Sequence, residues 1–374
     1  AIGVHDIGLN VIKNEAGDIG FRVLVGGGLG RTPIVGSQIC DFLPWQHLLT
    51  YLDAILRVYN RYGRRDNKYK ARIKILVKAL TPAVFAEKVN AEWAHTKDNE
   101  TTLTEQEVQR VAKHFTAPDY QQFSGDDADY LAKRDSEKGF NNWAMRNLQA
   151  HKVPGYAAVT LSLKPTAVAP GDATDKQMEA AADLAERYSF AELRVTHQQN
   201  LVLADVRQSD LYALWQECKE MGFATPNVGL LTDIICCPGG DFCALANAKS
   251  IPIAEAIQRT FDDLDYLHDI GDLDLNISGC MNACGHHHVG HIGVLGVDKK
   301  GQEFYQVSLG GNSGRDASIG QILGPSFAAD EMPKVVSKVI DVYVENRTPE
   351  ELFLDTFQRI GMAPFKERVY AAAN

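Results

Sequence analysis

An internal repeat near the two ends of the chain most constrains its fold. Residues 7–31 read IGLNVIKNEAGDIGFRVLVGGGLGR, and residues 292–315 read IGVLGVDKKGQEFYQVSLGGNSGR. The two copies align with each other with a gap of one residue. Each copy has the pattern of an apolar strand, a polar turn with a glycine, a second strand and a glycine-rich loop that ends in arginine. A helical pattern follows each loop. The repeat therefore predicts two related α/β modules that bracket the chain.

The segment between the two modules divides into a polar part and a compact part. Residues 95–153 are largely charged and polar, which predicts a helical connection. Residues 154–227 give the strand YAAVTLSL, a helix, a single strand ELRVTHQQNLVLADV and a second helix. We therefore predict an α+β fold of four parts, with bounds 1–94, 95–153, 154–230 and 231–374.

Five of the seven cysteines cluster in two short stretches, CCPGGDFC and SGCMNAC. Cys237 and Cys243 are six positions apart, and Cys280 and Cys284 are four apart, so two loops can supply four thiolates. Structural zinc sites usually space each pair by two to four residues, which fits the first pair poorly. An iron–sulfur cluster is larger and takes four thiolates in wider loops, so the spacing favours a cluster. Cys236 could replace Cys237 as a ligand, and spacing does not separate the two.

The other two cysteines, Cys40 and Cys218, are isolated, and we interpret them as small buried residues. Four histidines follow the last cysteine, in GHHHVGH. His287 and His291 have helical spacing, but the flanking residues predict a strand, where that spacing does not form one face. We favour hydrogen-bonded loop histidines near a cofactor over a separate zinc or haem-axial site.

Each glycine loop follows a strand, which raises the possibility of a dinucleotide site. Neither loop has the spacing G-x-G-x-x-G at the start of a helix with an acidic residue about twenty positions on, so this signal is weak. Both loops have backbone that a large flat ligand can approach closely, and each ends in an arginine that can bind anionic groups, at Arg31 and Arg315.

A basic run distinguishes the first module from the second. Residues 57–78 contain nine basic residues and only Asp66 as an acid, whereas the matching part of the second module is acidic. A solvated helix face explains about half of such a run. Arg72 and Lys74 alternate with apolar neighbours, so in an extended segment they would share a face and bind an oxyanion.

The overall composition excludes several classes of protein. The formal net charge of −10 argues against binding to nucleic acid. The sequence has no apolar run of the length that a membrane span needs, and its first residues lack the features of a signal peptide. We expect a cytoplasmic protein that binds no membrane. Because the chain opens at Ala1 within a strand-like pattern, we also expect that an N-terminal part is missing.

Taken together, these motifs resemble the sirohaem-dependent sulfite and nitrite reductase family, in particular bacterial assimilatory sulfite reductase haemoproteins. The resemblance rests on CPGGDFC, SGCMNACG, VGGGLGR, SLGGNSGR, THQQNLVL and KARIK, and it covers essentially the whole chain. It implies sirohaem (siroheme) and a 4Fe-4S cluster as cofactors. It also implies two duplicated sirohaem modules related by a pseudo-twofold axis and a ferredoxin-like half-domain over 154–230.

The resemblance assigns roles to individual residues. Cys237, Cys243, Cys280 and Cys284 would hold the cluster, with Cys284 as the bridge to the sirohaem iron and Cys236 as a bystander. Arg72 and Lys74 would bind the substrate oxygens and help to supply protons. The cofactor-binding residues implied in this way are Gly27, Gly28, Arg31, Gln199, Asn200, Asn282, Gly311, Asn312 and Arg315.

The implied activity is the six-electron reduction of sulfite to sulfide in sulfur assimilation. The reduction of nitrite to ammonia by the same type of site is the close alternative, and a non-catalytic structural zinc protein is the second. The expected partners are a small oxyanion and an electron donor such as ferredoxin or a flavoprotein reductase. Family members carry a further N-terminal half-domain related to residues 154–227, and we expect this chain to lack it.

Overall fold

The chain folds into two compact units. In the computed structural model, which describes residues 1–371, the first unit comprises residues 1–117 together with 311–319. The second comprises residues 118–310 and the chain from residue 320 onward. The second glycine loop therefore belongs to the first unit, although the hairpin that precedes it belongs to the second.

Helices and strands alternate along much of the chain, so the predicted α+β class is confirmed. The helices are α1 (Leu48–Tyr62), α2 (Ile73–Leu80), α3 (Pro82–Thr96), α4 (Glu105–Ala112), α5 (Ala128–Ser136), α6 (Lys138–Asn147), α7 (Asp175–Tyr188), α8 (Leu211–Met221), α9 (Gly239–Phe242), α10 (Ile251–Thr260), α11 (Leu264–Ile270), α12 (Met332–Asn346), α13 (Phe353–Ile360) and α14 (Ala363–Tyr370). The strands are β1 (Ile7–Lys13), β2 (Ile19–Val25), β3 (Ser37–Pro44), β4 (Leu148–Ala150), β5 (Tyr156–Leu161), β6 (Leu193–Val195), β7 (Leu201–Arg207), β8 (Ile235–Cys236), β9 (Leu275–Ser278), β10 (Ile292–Lys299), β11 (Gln302–Leu309) and β12 (Gln321–Ile322). Within the described residues no helix has the length and apolar character that a membrane crossing requires.

The first unit is built on an antiparallel sheet in the order β1-β2-β3. The apolar face of α1 packs in the core of this unit, because its buried residues recur at helical spacing at Tyr51, Ala54, Ile55 and Val58. Helix α3 begins with Pro82 after a Thr81 cap, whose hydroxyl accepts from the Val84 amide.

The two copies of the repeat form matching hairpins. Strands β1 and β2 pair with Ile7 opposite Val25, and β10 and β11 pair with Ile292 opposite Leu309. The two hairpin turns use glycines with positive φ, +87° at Gly17 and +81° at Gly301. An isolated bridge closes each glycine loop, Gly28 with Ile34 in the first copy and Asn312 with Ser318 in the second.

The second unit contains two sheets. The larger has the order β12-β11-β10-β9-β8, with β8, β9 and β10 parallel and the remaining pairs antiparallel. All four residues of β9 are buried, as expected for a central parallel strand. The smaller sheet has the order β4-β5-β7-β6, and α6, α7 and α8 contribute to its core.

Two local predictions are wrong. The single strand expected over ELRVTHQQNLVLADV is a hairpin, because the polar residues 196–200 form a turn between β6 and β7, with φ of +61° at Gln199. Lys74 lies in α2 rather than in an extended segment, and Arg72 is the residue before that helix. The segment forms a helix because Ile73, Leu76 and Val77 recur at helical spacing and are buried.

His287 departs from the expectation of hydrogen-bonded loop histidines. Its side chain is buried, its ring lies 3.9 Å from that of His288, and neither ring nitrogen has a hydrogen-bond partner in the part of the chain that the structure describes. Burial, with smaller contributions from the charges of His288 and His286, lowers the pKa of His287 to about 3. His287 is therefore neutral in the folded chain over the whole physiological range.

The burial of His287 makes the stability of the fold depend on pH. The unfolded chain binds a proton at this ring near pH 6.5 and the folded chain does not, so stability falls as the pH drops below that value. The free energy of unfolding should fall by about 2 kcal/mol between pH 7 and pH 5 on this account alone. Urea denaturation of the His287→Leu variant should show a correspondingly weaker pH dependence than that of the wild-type protein. An unchanged pH dependence in His287→Leu would show that the folded chain accepts the proton.

Candidate functional site

Cys237 follows the short edge strand β8, which pairs in parallel with β9. The Cys237 amide donates to the carbonyl of Ile277, and the Gly279 amide donates to the Cys237 sulfur at 3.1 Å. The buried hydroxyl of Ser250 lies 3.5 Å from the same sulfur. Strand pairing thus places Cys237 against the loop that carries the second cysteine pair.

Cys243 is positioned by the one-turn helix α9. Its amide donates to the Gly239 carbonyl at 2.8 Å. Gly239 has a φ of +56°, and a Cβ there would lie 2.5 Å from the Ser250 amide nitrogen. A glycine is therefore required at position 239 for the turn between the first two cysteines.

Cys280 and Cys284 lie in the loop after β9. The Ala283 amide donates to the Cys280 carbonyl, and the Gly285 amide donates to the Ser278 hydroxyl at 3.1 Å. A Cβ at Gly285 would lie 2.0 Å from the carbonyl oxygen of Ile277, so only glycine lets this loop pack on β9. Cys280 is buried and Cys284 is exposed.

The four predicted ligands come together in the second unit. Partial desolvation raises the pKa of the Cys284 thiol although the residue is exposed, and the charges of Cys237, Cys280 and Cys243 raise it further. Thiolates so close together repel one another, so a cationic metal centre is needed to hold all four deprotonated. This donor set fits an iron–sulfur cluster, which takes four cysteine thiolates.

Cys236 lies in a different environment from its neighbour. It is a member of the hydrophobic core of the second unit, and its thiol donates to the Cys237 carbonyl at 3.3 Å. Burial strongly raises the pKa of Cys236. The geometry therefore favours Cys237 over Cys236 as the ligand, an alternative that spacing left open.

No group of three or more His, Cys, Asp or Glu side chains within residues 1–371 is arranged to hold a single metal ion. His291, one of the two histidines considered for a separate site, accepts through Nδ1 from the Asp274 amide at 3.1 Å.

The predicted cofactor residues Gln199 and Asn200 contact protein groups. The Gln199 amide bonds both backbone polar groups of Cys236, each at 2.8 Å. The Asn200 amide nitrogen donates to the Asp233 carboxylate at 3.0 Å. Contact of these two side chains with sirohaem stays a prediction, as does that of Asn282, which is exposed between the second pair of cysteines.

A buried ion pair lies beside this contact. The Lys164 ammonium is 2.7 Å from the Asp233 carboxylate, and both side chains are almost fully buried. The Gly229 amide donates to the second oxygen of the same carboxylate. Each charge would be costly to bury without its partner. The pair therefore holds the loop between α8 and β8, which carries Asp233, against the segment after β5, which carries Lys164.

In the first unit, both predicted cations lie beside the first glycine loop. Lys74 is 6% exposed, and its ammonium donates to the carbonyls of Leu29 and Thr32 at 2.7 and 2.8 Å. A Cβ at Gly28 would lie 2.9 Å from the Arg72 guanidinium and 3.0 Å from the Lys74 side chain. The structure therefore brings Arg72, Lys74 and Gly28 together, although the two cations do not share a strand.

Burial lowers the pKa of Lys74, and the positive charge of Arg72 lowers it further. Arg72 donates two hydrogen bonds to Asp6, at 3.1 and 2.8 Å, and about half of each side chain is exposed. A lysine with a lowered pKa gives up a proton more readily, and a carboxylate at its side fixes the direction of the guanidinium.

The remaining predicted residues of the glycine loops also lie in the first unit. Arg31 and Arg315 are exposed, as arginines that meet an external anion must be. Gly27 is buried, and a Cβ there would lie 2.5 Å from the Gly3 carbonyl. Gly311 is buried, and the Asn312 side chain closes its own loop by accepting from the Gly314 amide and donating to the Asp316 carbonyl.

Sequence reasoning missed four residues that shape these sites: Ser250, Asp6, Lys164 and Asp233. Asp6, Lys164 and Asp233 contact their partners across more than sixty residues, and Ser250 contacts Cys237 across 13, so no motif spacing indicates them. Asp6 stands directly before the first strand of the repeat, which is the only signal that could have drawn attention to it.

Two protein families match this chain. Residues 1–97 and 229–374 match the family described as "Nitrite and sulphite reductase 4Fe-4S domain". Residues 151–221 match the "Nitrite/Sulfite reductase ferredoxin-like half domain". The four cysteines lie within the first match, so the match favours a cluster over the structural zinc site that the cysteine pattern left open.

Curated relatives include both nitrite and sulfite reductases. The chain is 25% identical over 361 residues to the assimilatory ferredoxin-dependent nitrite reductase of Haloferax mediterranei, covering 94% of this chain and 57% of that protein. It is 24% identical over 360 residues to the sulfite reductase [ferredoxin] of Mycobacterium tuberculosis, covering 94% and 58%. The chain therefore spans little more than half the length of these relatives.

The fold is shared with a solved structure. The Mycobacterium tuberculosis NirA protein superposes with a TM-score of 0.72 at 23% identity, over 98% of this chain and 62% of that chain. With the family matches covering most of its length, the chain belongs to the nitrite and sulfite reductase family, and this membership implies a 4Fe-4S cluster and a sirohaem as its cofactors.

Proposed function

We propose that this chain carries the redox site of a sulfite reductase, which reduces sulfite to sulfide with six electrons. The observation that carries the proposal is that the loops of Cys237 and Cys243 and of Cys280 and Cys284 meet at one edge of the sheet. There the Gly279 amide, next to Cys280, donates to the Cys237 sulfur at 3.1 Å. The group of cations at the first glycine loop, Arg72 and Lys74 beside Gly28, supports it. When bound, the cluster and the sirohaem supply single electrons and an iron that binds the substrate.

Cys284 is the proposed bridging ligand. Its thiol is exposed, whereas Cys280 is buried and the other two are partly buried. A thiolate shared between a cluster and a second iron needs one side free of protein. The exposure of Cys284 supports this role for it rather than for Cys280.

Arg72 and Lys74 are the proposed residues for binding and protonating the substrate. An oxyanion with a double negative charge is stabilised by an arginine whose direction is fixed, and Asp6 fixes it here through two hydrogen bonds. Each oxygen that leaves as water takes up two protons. Lys74, whose pKa is lowered, has one N–H beyond its two carbonyl bonds to donate to such an oxygen.

Reduction of nitrite to ammonia is the second candidate, because relatives of both kinds match the chain at nearly equal identity. For either substrate we propose ferredoxin as the electron donor, since it is named in both relatives. The chain acts in this proposal as part of a longer protein.

The substrate can be assigned by steady-state kinetics. With reduced methyl viologen as donor, the full-length protein should reduce sulfite to sulfide with a higher kcat/KM than it reduces nitrite to ammonium. Visible spectra of the same sample should show tetrapyrrole bands. A clear preference for nitrite would reverse the order of the two candidates, and a protein without tetrapyrrole and cluster iron would refute both.

Adjacent serine variants test the ligand set. Cys237→Ser should lose most of the cluster iron, because it removes a thiolate from the converging set. Cys236→Ser should keep iron near the wild-type level, because that sulfur lies in the core. Iron per chain, with the reduced-state EPR signal, is the measurement. Equal loss in both variants would show that the wrong neighbour was chosen.

A glycine variant tests the cations without removing either charge. Gly28→Ala places a methyl group 2.9 Å from the Arg72 guanidinium and 3.0 Å from Lys74, so both must move. The KM for sulfite should rise several-fold while the iron content stays unchanged. Gly125→Ala is the control, because a Cβ at Gly125 has nothing within 4 Å and the backbone there does not have the left-handed φ that favours glycine. Identical kinetics in the two variants would remove Arg72 and Lys74 from the substrate site.

A further inference from the structure

The side chain of Gln199 forms a two-point contact with the backbone of Cys236. Its amide oxygen accepts from the Cys236 N–H at 2.8 Å, and its amide nitrogen donates to the Cys236 carbonyl at 2.8 Å. We propose that Gln199 is a positioning residue that holds the strand leading into the cluster ligand Cys237. The role in cluster binding rests on the function proposed above, while the contact itself does not.

The contact falls on an open edge of the sheet. Strand β8 is an edge strand, and among the strands of residues 1–371 it pairs only with β9. The N–H and C=O of one residue in a strand point to the same side, and at Cys236 they point away from β9, because the next amide, that of Cys237, donates to Ile277 of β9. The Gln199 amide satisfies both groups in the way that another strand would.

Strand β8 needs this support because it is short. It consists of Ile235 and Cys236 alone, so few ladder bonds fix it. Cys237 is the next residue, and any shift of β8 moves its sulfur relative to the Gly279 amide and the Ser250 hydroxyl. Hydrogen bonds to ligand sulfurs influence the reduction potential of a cluster. The position of β8 therefore affects both the retention of the cluster and its potential.

The turn that carries Gln199 is itself fixed at several points. The Thr196 amide donates to the Asn200 carbonyl, and the Asn200 side chain donates to Asp233. The Lys164 ammonium, which pairs with Asp233, also donates to the Gln198 carbonyl. The turn is thus anchored through Asp233 to the segment that leads into β8.

The backbone of Gln199 indicates that the side chain, rather than the turn, requires glutamine. Its φ of +61° is one that asparagine and glycine adopt more readily. Gly171 leaves room for the side chain of Gln199, because a Cβ at Gly171 would lie 2.7 Å from the Cβ of Gln199. Asparagine would suit the backbone but is one methylene shorter, so it cannot reach both groups of Cys236.

The position of Gln199 in the sequence gives the proposal its consequence. Residue 199 lies within 151–221, the half-domain match, and the cluster ligands lie within 229–374. We therefore expect cluster binding to depend on a side chain that lies outside the domain that supplies the ligands.

The variants Gln199→Asn and Gln199→Glu separate the contact from the folding of the turn. Asparagine keeps the turn and loses the contact. Glutamate accepts from the Cys236 N–H but, when ionised, cannot donate to the carbonyl, so it should restore only part of the contact. Gln198→Asn is the matched control, because the side chain of Gln198 is one position away and only its backbone carbonyl is used.

Hydrogen exchange resolved to residues 235–237 is the first readout, measured on the full chain at neutral pH. The Cys236 amide should exchange roughly tenfold faster in Gln199→Asn, by an intermediate factor in Gln199→Glu, and at the wild-type rate in Gln198→Asn. Exchange of the Thr196 and Asn200 amides should stay unchanged, which shows an intact turn. Wild-type exchange at Cys236 in Gln199→Asn would overturn the proposal.

The second readout concerns the cluster. Loss of iron to a chelator should be faster in Gln199→Asn than in Gln198→Asn, and the midpoint potential of the cluster should shift in the first variant only. Faster amide exchange with wild-type iron retention and potential would reduce Gln199 to a structural residue. If the wild-type protein takes up no cluster at all, the proposed function fails, and the exchange experiment still decides the contact.

Discussion

The pairing of β8 with β9 is the constraint on which the cluster site depends. Each of these strands ends directly before a pair of cysteines, and parallel strands end at the same edge of a sheet. The Cys237 amide continues the ladder to Ile277, and the Gly279 amide turns back to the Cys237 sulfur. The sheet therefore determines which cysteines lie close together. The loops after β8 and β9 need only pack closely against each other.

The loops close because glycine stands wherever a side chain would collide. Gly239 leaves room for Ser250, and Gly285 leaves room for the carbonyl of Ile277. Gly28 does the same beside Arg72 and Lys74 in the first unit. These glycines share one physical role, because each lets backbone approach a polar group that serves the site. The glycine-rich loops of the repeat are thus explained by close approach rather than by a dinucleotide fingerprint.

The sequence predicts the parts of this molecule whose signals are local. Alternation and turn glycines predicted both hairpins of the repeat, which the structure shows. Cysteine spacing predicted the two cysteine pairs that we propose as cluster ligands. Spacing left the choice between Cys236 and Cys237 open, and only the resemblance favoured Cys237. The fold adds a physical reason for that choice, because Cys236 is buried in the core. The alternating charges at Arg72 and Lys74 are typical of a strand, so the sequence suggested an extended segment there. The segment is a helix because Ile73, Leu76 and Val77 recur at helical spacing and are buried.

Contacts between distant segments were beyond sequence reasoning, and they are the contacts that hold the site residues in place. Asp6 fixes Arg72 and Gln199 binds Cys236, contacts that join residues 66 and 37 positions apart, and Ser250 contacts Cys237 from 13 positions away. Residues that bind a ligand can be inferred from residue type and spacing, because the chemistry and size of the ligand determine both. A residue that only holds a ligand-binding residue in place has no required type or spacing, since any hydrogen-bond donor or acceptor of sufficient length could make the contact. It follows that Gln199, which resemblance assigned to the cofactor, could be given a contact with the cluster loop only once the fold placed it beside β8.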